Sequence, residues 1–164
     1  MTGQLRTLLL GAQQGQVMPS VGHVMNRFMI DGAETEGRFT LLQHLFEPNA
    51  LAAPMHRHHD EDEYSFVLAG RIGAVLDGEE VIGGPGDLIF KPRGQWHTFW
   101  NAGDEPATVL EIISPGGLED LFKSFGSLTG PPDPQHLAEM AAEFHCDIDL
   151  EATFPVIARH GLVF

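Results

Sequence analysis

The sequence predicts an all-β domain that ends in a helical C-terminal tail. From about residue 38 to residue 114 the chain falls into short segments rich in β-branched and aromatic residues, parted by turn residues at roughly eight-to-twelve-residue spacing. Such a pattern belongs to a sandwich or barrel. Past Pro115-Gly116-Gly117 the apolar period changes to that of a helix.

The first strand of this reading is Arg38 to Phe46, closed by Glu47-Pro48-Asn49. Ser65–Ala69 and Ile72–Leu76 follow, separated by Gly70. Asp77-Gly78 then links Ile72–Leu76 to Glu79–Ile82 as a two-residue hairpin, because both central positions tolerate positive φ. Gly83-Gly84-Pro85-Gly86 turns the chain into a strand from Asp87 to Lys91, and Pro92-Arg93-Gly94 turns it again into the strand that carries His97. After Asn101-Ala102-Gly103-Asp104 comes a last strand, Ala107 to Ser114. Leu118, Leu121, Phe122 and Phe125 then form one helical stripe stopped by Gly126. Ser127 to Pro132 is a linker. Asp133 caps a helix with Pro134 at its first position and Leu137, Met140, Ala141 and Phe144 on its apolar face. Residues 148–164 are apolar without clear period and are expected to pack over the outside of the sheet. The reading is one domain, 1–164, with its barrel at about 38–114 and its tail at about 117–164.

Composition narrows the partners. Nine basic residues stand against twenty-three acidic ones, a formal net charge of −14. That sign repels phosphate backbones and anionic lipid, so neither nucleic acid nor membrane is an expected partner. No apolar run reaches membrane-span length, and Leu8-Leu9-Leu10 is too short for a signal-peptide core, so a cytoplasmic protein is expected. Cys146 is the single cysteine and reads as a small apolar filler.

The chemistry lies in two glycine-framed blocks. His56 and His58 sit two apart, so on a strand they share a face, whereas His59 and Arg57 point away. For Glu63 to join them, Asp60-Glu61-Asp62 must turn the chain so that Glu63 returns on the neighbouring strand. His97 must come from a facing strand. Phe99 shares the face of His97 and is expected to wall a pocket suited to an apolar or aromatic ligand.

His56-x-His58-(x)4-Glu63-(x)6-Gly70 resembles the first cupin motif, and Gly86-(x)5-Pro92-x-Gly94-(x)2-His97-(x)3-Asn101 resembles the second. Only the leading glycine of the first motif departs; it is Ala50 here, and Asn49 beside it can supply the left-handed turn. The resemblance implies a double-stranded β-helix, the jelly-roll barrel, with a metal near its mouth. It implies His56, His58, Glu63 and His97 as ligands, with the motif glycines, Pro92 and Asn101 as turn residues. The cofactor would be one divalent transition metal, Fe, Mn, Ni, Co, Cu or Zn, since donor type alone does not choose among them. Three imidazoles and a carboxylate leave positions open, the pattern of a catalytic site. Because the imidazoles must be deprotonated, metal is expected to be lost below about pH 6.

The whole chain, including the exit Ser114-Pro115-Gly116-Gly117-Leu118-Glu119, is similar to quercetin-dioxygenase-like cupins. That likeness implies a metal-dependent dioxygenase acting with O2 on a small enol, phenol or flavonol-like substrate, with Glu63 accepting the hydroxyl proton. A non-catalytic ligand-binding barrel is one alternative. An isomerase or cyclase that uses no O2 is the other. His44 is expected to be a buried, hydrogen-bonded histidine. Glu111 is either a pocket residue or an edge or outward-facing one. His23, His136, His145 and His160 show no spacing that suggests chemistry. Residues 5 to 30 are apolar enough to pair, and a homodimer is expected.

Overall fold

A computed structural model describes residues 8–20, 22–130 and 133–164. Residues 5–7 and 21 of the apolar N-terminal stretch, and Pro131 and Pro132 of the expected linker, lie outside the described residues. The strands are β1 (Gln16–Pro19), β2 (Val24–Ile30), β3 (Thr40–Phe46), β4 (Met55–His58), β5 (Asp62–Ala69), β6 (Ile72–Leu76), β7 (Glu79–Gly83), β8 (Leu88–Lys91), β9 (His97–Asn101), β10 (Ala107–Ser114) and β11 (Cys146–Asp149). The helices are α1 (Glu119–Gly126), α2 (Pro134–Ala142) and α3 (Leu150–His160), and a single 3-10 turn spans Gly32–Thr35.

Two antiparallel sheets enclose the interior, ordered β1-β2-β3-β10-β5-β8 and β11-β4-β9-β6-β7. This is the double-stranded barrel that the motifs implied. The larger sheet takes two strands from ahead of residue 38, because β2 pairs along β3 from Val24↔Phe46 to Ile30↔Leu41. Asp77 (φ 49°) and Gly78 (φ 90°) make the expected two-residue hairpin between β6 and β7. Asn49 takes the left-handed conformation (φ 59°) beside Ala50, so the missing motif glycine costs the fold no turn.

Alternation sorts the interior. At one end Phe46, Val67, Ile72, Ile89, Phe99 and Val109 pack into an apolar core. At the other end the inward positions are polar, and that end is the mouth.

The tail is not purely helical. β11 adds to the edge of the smaller sheet in register with β4, Cys146↔His58 to Asp149↔Met55, after His145 turns the chain at φ 52°. Its residues are Cys, Asp, Ile and Asp; the two aspartates are poor strand formers, and cross-strand pairing overrides them. α1 and α2 bring Leu118, Leu121, Phe122, Phe125, Met140 and Phe144 over Phe28, Leu42 and Ile113. Glu119 anchors the start of α1 by accepting bonds from Gly32 N, Gly117 N and Thr40 Oγ1. As expected, Asp133 caps α2, accepting from Gln135 N. α3 lies on the outside of the smaller sheet, where Val156 and Ile157 pack with Met55, Val75 and Trp100. Asp149 caps its start and Gly161 (φ 62°) ends it. Among the described residues no helix is long and apolar enough to cross a membrane.

Candidate metal centre

Four buried side chains converge at the mouth: His56, His58, Glu63 and His97, each at most 7% exposed. One ligand atom from each lies within 4.8 Å of all the others. β4 supplies the histidine pair, because the proper pleat turns His56 and His58 inward while Arg57 points out to Asp147. β9 supplies His97 in direct register with His56. β5 supplies Glu63 from the opposite sheet. The sequence reading had these two relations interchanged: His97 is the hydrogen-bonded neighbour, and Glu63 faces it across the barrel. The turn at 59–61 carries the chain from one sheet to the other, which a turn within one sheet would not do.

The donor set fits a metal. The Nδ1 of His56 donates to the Pro54 carbonyl at 2.7 Å, and that of His97 to the Gln95 carbonyl at 3.1 Å. A carbonyl can only accept, so in both rings the Nε2 lone pair is left to face the centre. His58 is buried, and neither ring nitrogen has a well-formed hydrogen bond; Glu63 Oε1 is 3.4 Å from Nε2 and Glu61 Oε2 is 4.0 Å from Nδ1. Buried polar groups are seldom left so unless something else completes them. Glu63 Oε2 is 3.1 Å from His97 Nε2.

Without an ion the charges settle as an imidazolium–carboxylate pair. Burial pushes the Glu63 carboxyl up, but Lys91 and His58 outweigh it and hold it well below the usual carboxylate range. Burial lowers His58, yet the Glu63 charge and the Cys146 thiol reverse this and raise it to about 10. Burial, with the neighbouring imidazoles, holds His56 well below its ordinary value. Burial also lowers His97.

Behind Glu63 lies a charged chain. Lys91 Nζ stands 2.9 Å from Glu63 Oε2 and 3.0 Å from Glu111 Oε1. Ser65 Oγ donates to the other oxygen of Glu111. Burial raises Glu111 to about 7 even with Lys91 beside it. His44 bonds Asn26 Oδ1 through Nδ1 at 2.8 Å, and burial followed by Lys91 lowers it to about 3, a neutral imidazole.

The mouth opens into a narrow cavity of about 40 Å³. His56, His58 and Cys146 form its floor and side, and Phe122, Phe125 and Leu137 close it from α1 and α2. Its surface is almost wholly apolar.

The family model described as the cupin domain matches residues 43–113, which hold all four ligand candidates and both motif blocks. Over that segment the chain is similar to the cupin domain, and its two sheets have the cupin fold. Gentisate 1,2-dioxygenase from Ralstonia sp is 28% identical over 111 residues, 68% of this chain and 30% of that enzyme. The chain spans 30–40% of the length of the curated relatives it matches. Among solved structures, KdgF from Halomonas sp. has a TM-score of 0.62 at 16% identity, covering 70% of this chain and 99% of its own. The polyketide cyclase RemF from Streptomyces resistomycificus has a TM-score of 0.58 at 26% identity, covering 66% and 80%.

The remaining sequence candidates divide clearly in the structure. His44 is buried and hydrogen-bonded, as expected. Glu111 is inward and fully buried, which overturns the edge or outward alternative. Phe99 faces inward with His97, but it packs in the core beneath Lys91, whose Nζ lies 3.8 Å from its ring centroid; the cavity wall comes from α1. Cys146 is more than filler, since it lines the cavity opposite His58. Asn101 ends β9 and holds the next turn, donating to the Glu47 and Glu105 carbonyls and accepting from Gly103 N. His23, His145 and His160 lie 2.9, 2.6 and 3.0 Å from carboxylate oxygens of Glu47, Asp60 and Glu80, away from the four-residue cluster. Lys91 was missed. Its signal was the alternation of β8, where Ile89 and Lys91 share the inward face.

Proposed function

We propose that this chain is a metal-dependent dioxygenase of the cupin type acting on a small enol or phenol. The observation that carries the reading is a buried three-histidine, one-carboxylate cluster, two of whose histidines, His56 and His58, line a largely apolar cavity. The match to a protein named as a dioxygenase supports it. The cavity narrows the substrate. At about 40 Å³ it takes a compact ligand, and a flavonol would need α1 and α2 to move.

When bound, a divalent ion supplies Lewis acidity, making a substrate hydroxyl that coordinates it more acidic. His56, His58 and His97 would hold the ion as neutral ligands. Glu63 accepts the hydroxyl proton. Lys91 makes Glu63 a weak base, and a weak base suffices for a hydroxyl already made acidic. Phe122, Phe125 and Leu137 orient the apolar part of the ligand and keep water from the reacting atoms.

Oxygen uptake on protein of known metal content, against a panel of enols, phenols and diketones, tests the reading. Uptake matched to substrate loss is expected. A Glu63→Gln variant should keep measurable metal and lose at least about a hundredfold in turnover, the lower range for a positioned acid–base group. Undiminished turnover in that variant would remove Glu63 as the base. The second reading, a metal-dependent cyclase or isomerase, is favoured by the likeness to RemF, whose name makes it a polyketide cyclase. Substrate conversion by the zinc-loaded protein without oxygen uptake would decide for it. Ligand binding with no conversion would leave a metal-bound binding barrel.

A further inference from the structure

Lys91 carries a full charge into the barrel interior, yet it is not among the metal ligands. It is 1% exposed, with its ammonium between two carboxylates and against the face of Phe99. Lysine is almost never buried so completely unless it is paired, and a buried ion pair is weak support for stability compared with apolar residues of the same volume. A packing role would be met by methionine.

We propose that Lys91 is a positioning residue that competes with the metal for Glu63, so that this carboxylate is a detachable ligand while the three imidazoles are fixed ones. The inference rests on the four-residue metal site and is independent of whether O2 is used. Its basis is the partition of the Glu63 oxygens. Oε2, which faces His97 Nε2 at 3.1 Å, lies 2.9 Å from Lys91 Nζ, whereas Oε1 lies 3.4 Å from His58 Nε2. An ion among the imidazoles therefore meets a carboxylate with one oxygen already engaged. The ammonium also repels a second cation and draws charge from the carboxylate, and both effects loosen the bond from Glu63 to the ion. Neutral imidazoles carry no such charge to be drawn away.

The lysine is itself held in place. Glu111 engages it from the other side, and Ser65 fixes Glu111. Strand register builds this chain, pairing Glu63 with Lys91 across β5 and β8, and Ser65 with Glu111 across β5 and β10. These contacts hold the ammonium beside Glu63. A carboxylate that leaves the ion readily opens a position for a substrate oxygen and frees its own oxygen to take a proton.

Cobalt(II) binding to the full chain, measured at fixed pH against a chromophoric chelator, tests this. Lys91→Met should bind cobalt roughly tenfold more tightly than the unmodified protein, the low end of what groups behind metal ligands contribute. Its visible d–d absorption should weaken as Glu63 brings both oxygens to the ion and coordination number rises. Lys91→Arg keeps the charge and should stay close to the unmodified protein in both readouts. A merely structural lysine predicts the opposite, because a damaged site binds metal more loosely. Unchanged or weaker binding by Lys91→Met, with normal binding by the unmodified chain, overturns the inference and leaves the metal site standing. Failure of the unmodified chain to bind cobalt overturns both. If Lys91→Met does not fold, Lys91→Met/Glu111→Gln removes the buried pair together and is read the same way.

Discussion

At the scale of single residues, His58 governs how the site responds to pH. Its folded value of about 10 lies above the ordinary 6.5, so in the metal-free protein it is an imidazolium throughout the neutral range. The sign follows from linkage: its pairing with Glu63 stabilises the metal-free fold fully below pH 6.5 and is lost as pH rises through about 10. Metal must displace that proton. Calorimetric titrations at pH 7 in buffers of different ionisation enthalpy should therefore show release of about one proton per ion bound. Affinity should go on climbing with pH well past 7, not level off above about 6 as the reference histidine value implied. A buffer-independent binding enthalpy would refute the protonated His58.

Elements place these residues, and two glycines show how tightly. Gly70, the last fixed position of the first motif, has φ +81° where β5 gives way to β6. A Cβ there would fall 2.5 Å from Ala107 Cβ. Gly78, in the β6–β7 hairpin, also has positive φ (+90°), but nothing lies within 4 Å of the same point. Gly78→Ala should then cost about 1–2 kcal/mol, the backbone penalty alone. Gly70→Ala should add an overpacking cost of about 1–3 kcal/mol. Urea unfolding of the two variants measures the difference, and equal midpoints would contradict the close approach of β10 to Gly70.

For the molecule as a whole, a metal at the proposed site would couple the two sheets. β4 and β9 hold three of the candidate ligands on the smaller sheet, and β5 holds the fourth on the larger. An ion bound to all four therefore ties the halves of the barrel at its mouth. At a free metal concentration of one hundred times Kd, binding should stabilise the fold by about 2.7 kcal/mol. A chelator should lower Tm by a corresponding amount, and a His56→Ala/His97→Ala variant should show no chelator-sensitive shift in differential scanning fluorimetry. A chelator effect that survives in that variant would place the metal elsewhere.

Local chemistry was enough to read the hairpin at Asp77-Gly78, the Asp133 cap, the stripe of α1, and the choice of His56 and His58 over His59. Each depends on residues within a few positions of one another. The cap at Asp149 and the stop at Gly161 were equally local, and together they bracket α3, a helix whose weak period hid it. The fourfold cluster was legible by motif spacing, but not the sheet that carries each member. Strand alternation places a residue on a face without telling which strand lies opposite. Whether Glu63 meets His97 as a neighbour or across the barrel depends on the path of the turn at 59–61. The pairing of Lys91 with Glu111, and of β11 with β4, is likewise a matter of register between segments 20 and 88 residues apart in sequence. Sequence alone determined the fold class, because periodicity and turn preference act over short range, and the resemblance to the cupin motifs picked out the four residues that gather at the mouth. Tertiary structure alone decided that a buried lysine stands behind Glu63 and that α1 and α2 narrow the cavity, because burial makes a charge find its partner wherever the fold has brought one.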